Sequence, residues 1–294
     1  MYNTRSSSLE SPMKSAIERF LSHLKEDKER AKNTVSAYAT DVRQFELVLS
    51  ANAGGPVKPQ QLNSGMVAKY AGWLVEQGYL PSTVSRKMAA ARAFLLYLAE
   101  QERAISRRIP DQLQPPSAPR RLPRTLSEDE VRHLLAAPEK LDSPRGLRDS
   151  AVLALLYSAG MRASEAVQTN LEDVDLKAGT VQRHGPEPVA LRLGQAGKPL
   201  SRYLAAGRPQ LVRDARERAL FLNLRGKRLS RQGLWLVVKR WAAAVGLGEG
   251  ISPHSLRHSL IRHLLQEGNT KREIQAMLGL SSPNAIRVRL SSKQ

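Results

Sequence analysis

The 294-residue sequence predicts a mainly α protein with a small β-sheet, an α+β fold built from two domains. Three observations carry this expectation. Apolar residues recur at helical spacing through residues 12–106, with no strand pattern among them. A proline-rich strap, 107–124, then breaks the periodicity. Beyond it, in 125–294, one pair of short strand-like segments stands among further helical patterns, which gives a hairpin and not a large sheet.

The elements follow in order. Met13 to Leu24 carries Ile17, Phe20, Leu21 and Leu24 on one helical face. A second helix starts near Asn33 and Thr34 and runs through Tyr38, Val42, Phe45 and Leu49, ending in a Gly/Pro loop, 51–59. A third covers about 64–77 with Val67, Tyr70, Ala71 and Leu74 inward, and Gly78 is its stop. A fourth follows Pro81 and Ser82 and includes Val84, Met88, Ala91, Leu95 and Leu98. The strap holds five prolines, five arginines and one acid, Asp111. Proline at that density favours extended backbone, so a basic tether is expected there. Ser127 and Glu130 have the spacing of a capping box and open the second domain. Helices are expected at about 128–137 and 146–158. Strands are expected at Thr180–Arg183, Val189–Leu193 and Ala219–Leu222, and helix again from Ser230 onwards.

Charge is the unusual bulk property. Lys and Arg number 46 against 27 Asp and Glu, a formal net charge of +19. Such an excess favours a polyanion, because each phosphate contact releases condensed counterions. Charge alone does not separate DNA from RNA. The absence of cysteine excludes disulfides, thiolate metal sites and cysteine nucleophiles. No apolar run has the length of a membrane span, and the polar start, Met1 to Ser11, has no leader-like apolar stretch. A cytoplasmic, nucleoid-associated protein with no membrane partner is expected.

Three local signatures carry the chemistry. In Leu155-Leu156-Tyr157-Ser158-Ala159-Gly160-Met161-Arg162-Ala163-Ser164-Glu165 an apolar helix breaks at Gly160, so Arg162 sits at an inter-helix turn. In Ser252-Pro253-His254-Ser255-Leu256-Arg257-His258 a cap and a first-turn proline open a helix. His254 and Arg257, three apart, then share a face. The third, Leu264 through Ser282, reads as helix, turn at Gly268, helix, and stop at Gly279. Taken singly, an exposed arginine or a His–Arg pair is most often only a solvated surface.

Together and in this order the three resemble the catalytic domain of the tyrosine recombinase (phage integrase, Xer-type) family. Leu220-Phe221-Leu222-Asn223 with Arg228-Leu229-Ser230 adds to the likeness. The first domain, with Asn33-Thr34-Val35-Ser36-Ala37-Tyr38 and Pro81-Ser82-Thr83-Val84-Ser85-Arg86-Lys87, is similar to the family's helical, SAM-like core-binding domain. The resemblance implies double-stranded DNA as partner, a nucleophilic tyrosine that joins the 3′ phosphate, two arginines on the phosphate oxygens, and proton-handling side chains. It implies no metal and no cofactor. The family arginines fall on Arg162 and Arg257 and the histidine on His254. Three positions depart. The hairpin turn His184-Gly185-Pro186-Glu187-Pro188 has no lysine, the nearest being Lys198. Leu280 stands where the family has histidine or tryptophan. Arg289 stands at the nucleophile position, and the last tyrosine of the chain is Tyr203. Ser281, Ser282 and Ser291 lack an adjacent base. Tyr157 reads as core.

The resemblance also nominates Asn33, Thr34, Arg86, Lys87, Arg92, Arg228 and Arg231 as DNA contacts, most of them to phosphate. Arg225 and Lys227 belong to the same basic cluster, whereas Trp235 and Trp241 are read as core. The sequence ends at Gln294 with no further helix of the kind Xer-type relatives exchange between protomers, which puts cyclic exchange in doubt; a homo-oligomer on DNA stays open. The expected function is a DNA-site-binding regulator or architectural protein unable to cleave by itself. The alternatives are a component of recombination that works with an intact recombinase partner, and a decayed enzyme.

Overall fold

The computed structural model describes residues 11–26, 32–114, 124–184, 188–280 and 286, with the side chains of Lys32 and Asn33 outside the description. The chain divides into two units, Met1–Arg120 and Arg121–Gln294, each treated on its own.

Over its described residues the first unit is a bundle of four helices: α1 (Pro12–Glu26), α2 (Lys32–Ala53), α3 (Ser64–Glu76) and α4 (Pro81–Glu100). Their apolar stripes meet in one core. Phe20 packs on Phe94 at 5.4 Å between ring centroids, and Phe45 meets Tyr70 edge-on at 4.8 Å. Asn63 caps α3 by accepting from the Met66 amide at 3.1 Å. Pro81 supplies the fixed φ of the first turn of α4. The first part of the expected strap belongs to this core. Pro110–Gln112 forms a 3₁₀ turn, and Ile109 and Leu113 are buried against the bundle. Two apolar side chains in reach of a core outweigh the extended preference of the prolines around them. Residues 115–123 lie outside the described residues.

The second unit is a helical assembly around one buried helix. Its elements run α5 (Glu128–Ala136), α6 (Pro144–Ser158), α7 (Ala163–Gln168), β1 (Val174–Asp175), β2 (Thr180–Arg183), β3 (Val189–Arg192), α8 (Gly197–Arg202), α9 (Arg208–Leu211), α10 (Arg231–Ala244), α11 (Pro253–Gln266) and α12 (Lys271–Leu278). The capping box at α5 forms as expected, with Ser127 accepting from the Glu130 amide at 3.1 Å. Every residue of α6 from Arg148 to Leu156 is buried, polar ones included. Arg148 and Asp149 are tolerated there because their charges are spent on partners. Arg148 donates to the Leu222 carbonyl at 2.9 Å, and Asp149 accepts from Arg148 at 2.6 Å and from the Trp241 indole at 2.9 Å.

The strands form an antiparallel sheet in the order β1-β2-β3, with Val181 opposite both Val174 and Leu191. The third strand is therefore Val174–Asp175 and not Ala219–Leu222. The latter segment is fully buried but pairs only through isolated bridges, Asn170 with Ala219 and Leu222 with Arg228. Four apolar residues in a row fill the core from both sides without entering a ladder. The helical run 197–211, in which a π turn at Tyr203–Gly207 joins α8 to α9, is absent from the sequence expectation. Gly197, Pro199, Gly207 and Pro209 obscure its periodicity.

Candidate functional site

Two turns build the site. The first joins α6 to α7. Gly160 there takes a left-handed φ of +57°, and a Cβ on it would lie 2.8 Å from the Leu278 methyl and 3.0 Å from that of Leu260. Only glycine fits both the conformation and the close approach. Two residues later Arg162 emerges, its side chain 55% exposed. The Glu165 carboxylate holds the turn, accepting from the Arg162 amide at 2.6 Å and from its guanidinium at 3.0 Å.

The second turn opens α11. Ser252 caps it and Pro253 fills its first turn. Arg257, one turn in, is buried, and its Nη1 donates to the Gly160 carbonyl. The same guanidinium lies 4.0 Å from Glu165, so one carboxylate stands between two arginines. Among the described residues the Nη2 of Arg257 is buried and has no hydrogen-bond partner. Burial, then the charge of Arg162, lowers the Arg257 guanidinium to about 10, with Arg183 acting the same way and Glu165 opposing. The site therefore has positive charge in excess, with a buried N–H group left to donate. A group with those properties suits an incoming oxyanion, which would satisfy the donor and relieve the repulsion together.

His254 sits at the exposed rim of α11. Its Nε2 lies 2.8 Å from the Nε2 of His258 one turn later, so the two rings share a single proton between those atoms. Burial comes first among the causes that lower both; Arg257 and Arg162 add to it at His254, and His254 and Arg257 at His258, which falls to about 4. Both imidazoles are accordingly neutral near pH 7.

Arg183, at the end of β2, reaches the far side of the site. It is buried and donates to the Leu278 carbonyl at 3.0 Å, at the left-handed Gly279 that ends α12. Leu280 follows, buried among Leu260, Ile274, Leu278 and Ile286. It offers no group that could move a proton. Arg289, Ser281, Ser282 and Ser291 lie outside the described residues, as does the middle of the hairpin turn, 185–187. His184 is tied to Asp173 at 2.7 Å.

Thus Arg162, Arg257 and His254 come together at two adjoining turns. Glu165, His258 and Arg183 join them and were not foreseen. The first two had signals: Glu165 is three residues after Arg162 at capping-box spacing, and His258 is one helical turn after His254. Arg183 is brought in by tertiary packing alone.

Several nominated DNA contacts make internal pairs in the fold. Lys87 is buried and pairs with Asp41 at 3.1 Å, and Arg86 pairs with the same buried carboxylate. An uncompensated Asp41 in the bundle core would be costly, and these two cations neutralise it. Arg92 faces Asp111 at 3.4 Å. Arg228 turns inward, donating to the Val167 carbonyl at 2.7 Å, the Thr169 carbonyl at 3.2 Å and the Asn170 side chain at 2.5 Å. It is a strut between α7 and the chain before α10. Thr34, Arg225, Lys227 and Arg231 are exposed; the Asn33 side chain is outside the described residues. Trp241 is half-buried as expected, but Trp235 is 43% exposed and not part of the core.

Tyr157 and Tyr203 are the two tyrosines of the second unit. Tyr157 is half-buried, its hydroxyl 2.8 Å from Nδ1 of His263. The Nε2 of His263 faces the Leu126 carbonyl at 3.0 Å and must carry the proton there, so the phenol is the donor to Nδ1. Tyr203 is fully buried and accepts from the Leu222 amide at 3.2 Å. Burial pushes both phenols up to about 12.

Comparison with known proteins agrees with this anatomy. The Phage integrase family model matches residues 124–289, and the Phage integrase, N-terminal SAM-like domain matches 17–102. Tyrosine recombinase XerC of Roseiflexus sp. (strain RS-1) is 38% identical over 281 residues, 94% of this chain and 88% of that protein. Tyrosine recombinase XerD of Pseudomonas aeruginosa is 35% identical over 285 residues, 96% and 93% of the two chains. Among solved structures, XerH site-specific recombinase bound to palindromic difH substrate superposes with a TM-score of 0.66 at 21% identity, covering 95% of this chain and 93% of that one. A lambda integrase tetramer bound to a Holliday junction gives 0.69 at 16%, covering 96% and 80%. These two likenesses speak to the fold, and the sequence relatives to the lineage: the chain belongs to the Xer-type tyrosine recombinases of the phage integrase family.

Proposed function

We propose that this protein binds double-stranded DNA through a phosphate clamp made of Arg162 and Arg257, and that it does not break the strand it holds. The observation that carries the reading is the buried Nη2 of Arg257, without a partner among the described residues, beside a second guanidinium. A donor left unsatisfied in a buried, positively charged niche is costly unless an anion completes it. The net charge of +19 and the DNA-bound relatives of like fold support duplex DNA as the source of that anion.

The second half of the reading rests on the reacting groups. In the reading carried over from the family resemblance, Arg289 takes the nucleophile position. The two tyrosines of the second unit are both raised to about 12, and their hydroxyls are committed to His263 and Leu222. Leu280 is a buried alkyl group at a proton-transfer position. A clamp without nucleophile or acid suits a site-binding regulator or architectural protein on DNA. The proposed domain assignment is a helical DNA-binding domain, 12–106, and a recombinase-type domain, 125–294, on either side of the strap.

Arg162→Ala tests the clamp. The side chain is exposed, so thermal stability is expected to stay as it is. Affinity for duplex DNA is expected to fall on every sequence, with the slope of log affinity against log salt smaller by about one. An altered base preference at unchanged slope would refute the phosphate role.

A further inference from the structure

His254 and His258 stand one turn apart on α11, the first exposed and the second half-buried. This i,i+4 spacing is the one by which a helix presents two imidazoles to a metal ion. The rings meet at 88° with centroids 4.2 Å apart, and the two Nε2 atoms face each other. Two nitrogens bound to one tetrahedral ion at about 2.0–2.1 Å stand roughly 3.3 Å apart. The separation found here, 2.8 Å, reaches that value by a small opening of the two rings. The ring that carries its proton on Nε2 moves it to Nδ1, a change of tautomer and not of charge. Among the described residues no group of three or more His, Asp or Glu forms a metal cage. An ion held by the pair alone therefore keeps open coordination positions.

The surrounding charges decide what fills them. Arg257 and Arg162 both act on His254, and Glu165 lies between the two guanidinium groups. Two positive charges repel a bare dication. An oxyanion seated in the clamp reverses that sign, because it neutralises the guanidinium groups and offers an oxygen to the open positions.

We infer that the His254–His258 pair is a site for a divalent transition-metal ion of the zinc and nickel class, which binds together with the DNA phosphate held by Arg162 and Arg257. The inference rests on the phosphate-clamp reading and adds a second ligand to it. The ion fastens the phosphate and takes no part in a bond-breaking step. Imidazole suits Zn²⁺, Ni²⁺ and Cu²⁺, whereas Mg²⁺ prefers oxygen and should act only as added salt. Coupling of this kind is reciprocal: the ion tightens DNA, and DNA tightens the ion, by one factor.

Binding of the full chain to a labelled duplex, measured well above the ordinary imidazole value and with each protein in EDTA as its own reference, tests the site. Zn²⁺ at about 0.1 mM is expected to tighten binding by the parent about ten-fold. Mg²⁺ at the same concentration should give no such gain. The ratio of affinity with Zn²⁺ to affinity in EDTA should fall to about one in His254→Gln and in His258→Gln. It should stay at the parent's value in His133→Gln, an exposed histidine on α5. Thermal unfolding in EDTA shows that each variant is folded. Calorimetry with Zn²⁺ should find tighter uptake by the protein–DNA complex than by the free protein. A ratio near one in the parent, or one unchanged in His258→Gln, would overturn the inference while the clamp stands. So would Zn²⁺-driven dimerisation of the free protein, which would give the open positions to a second copy. Failure of the parent to bind any duplex in EDTA or in Zn²⁺ would remove the clamp reading itself, and this inference with it.

Discussion

Two guanidinium groups of the same residue type do opposite work here, and their partners tell which is which. Arg228 has three internal acceptors for its donors. Arg257 has one backbone acceptor, one distant carboxylate and a buried nitrogen with no hydrogen-bond partner among the described residues. Arg228→Ala is therefore expected to cost about 1–3 kcal/mol of stability by orphaning carbonyls, with the salt slope of DNA binding unchanged. Chemical denaturation and a salt titration separate this from the behaviour of Arg162→Ala. His258 supplies a second test at this scale. Burial, His254 and Arg257 hold it near 4 in the folded chain against an ordinary 6.5. Between those values the unfolded chain binds a proton that the folded chain refuses. The stability it contributes is thus complete above pH 6.5 and is lost as pH falls toward 4. His258→Gln is expected to make the decline of Tm over that window shallower, measured against the parent to cancel the carboxylates.

Among the elements, the turn from α6 to α7 is the hinge of the site. Gly160 lends its carbonyl to Arg257 and its missing side chain to Leu260 and Leu278. Gly160→Ala is expected to cost at least about 1–2 kcal/mol from the left-handed backbone alone. It should also weaken DNA binding, because the carbonyl that seats Arg257 must move. Thermal melts and duplex titrations of the variant check both. This turn was legible in the sequence because a glycine followed by an arginine ends an unbroken apolar run. The capping box at Ser127 and the four helices of the first unit were legible for the same reason: their signals are local. Ala219–Leu222 was misread because a run of apolar residues fits a strand and a buried connection equally well. The helices at 197–211 were missed because their prolines and glycines read as loop.

For the whole molecule, charge nominates a polyanion as partner, while the fold decides which internal groups the individual cations also serve. Lys87 and Arg86 looked like surface cations in the sequence. In the fold they balance Asp41, a buried acid some forty positions earlier, and no local pattern reports such a pairing. Arg183 escaped notice for the converse reason, since only packing brings the end of β2 against the end of α12. Trp235 was assigned to the core on residue type, and the register of α10 turns it outward. What the sequence did convey at this scale is the family, because it depends on residue identity at ordered positions and not on geometry.

The account stands on a clamp that grips a phosphate while no side chain attacks it. A duplex nicked beside its bound site, so that a cut strand diffuses away and any covalent intermediate is trapped, puts that statement to direct trial. Incubated with the full chain and resolved on a denaturing gel, the labelled strand should migrate free of protein although the native complex forms under the same conditions. A protein-linked strand that survives denaturation and disappears on protease treatment would contradict it.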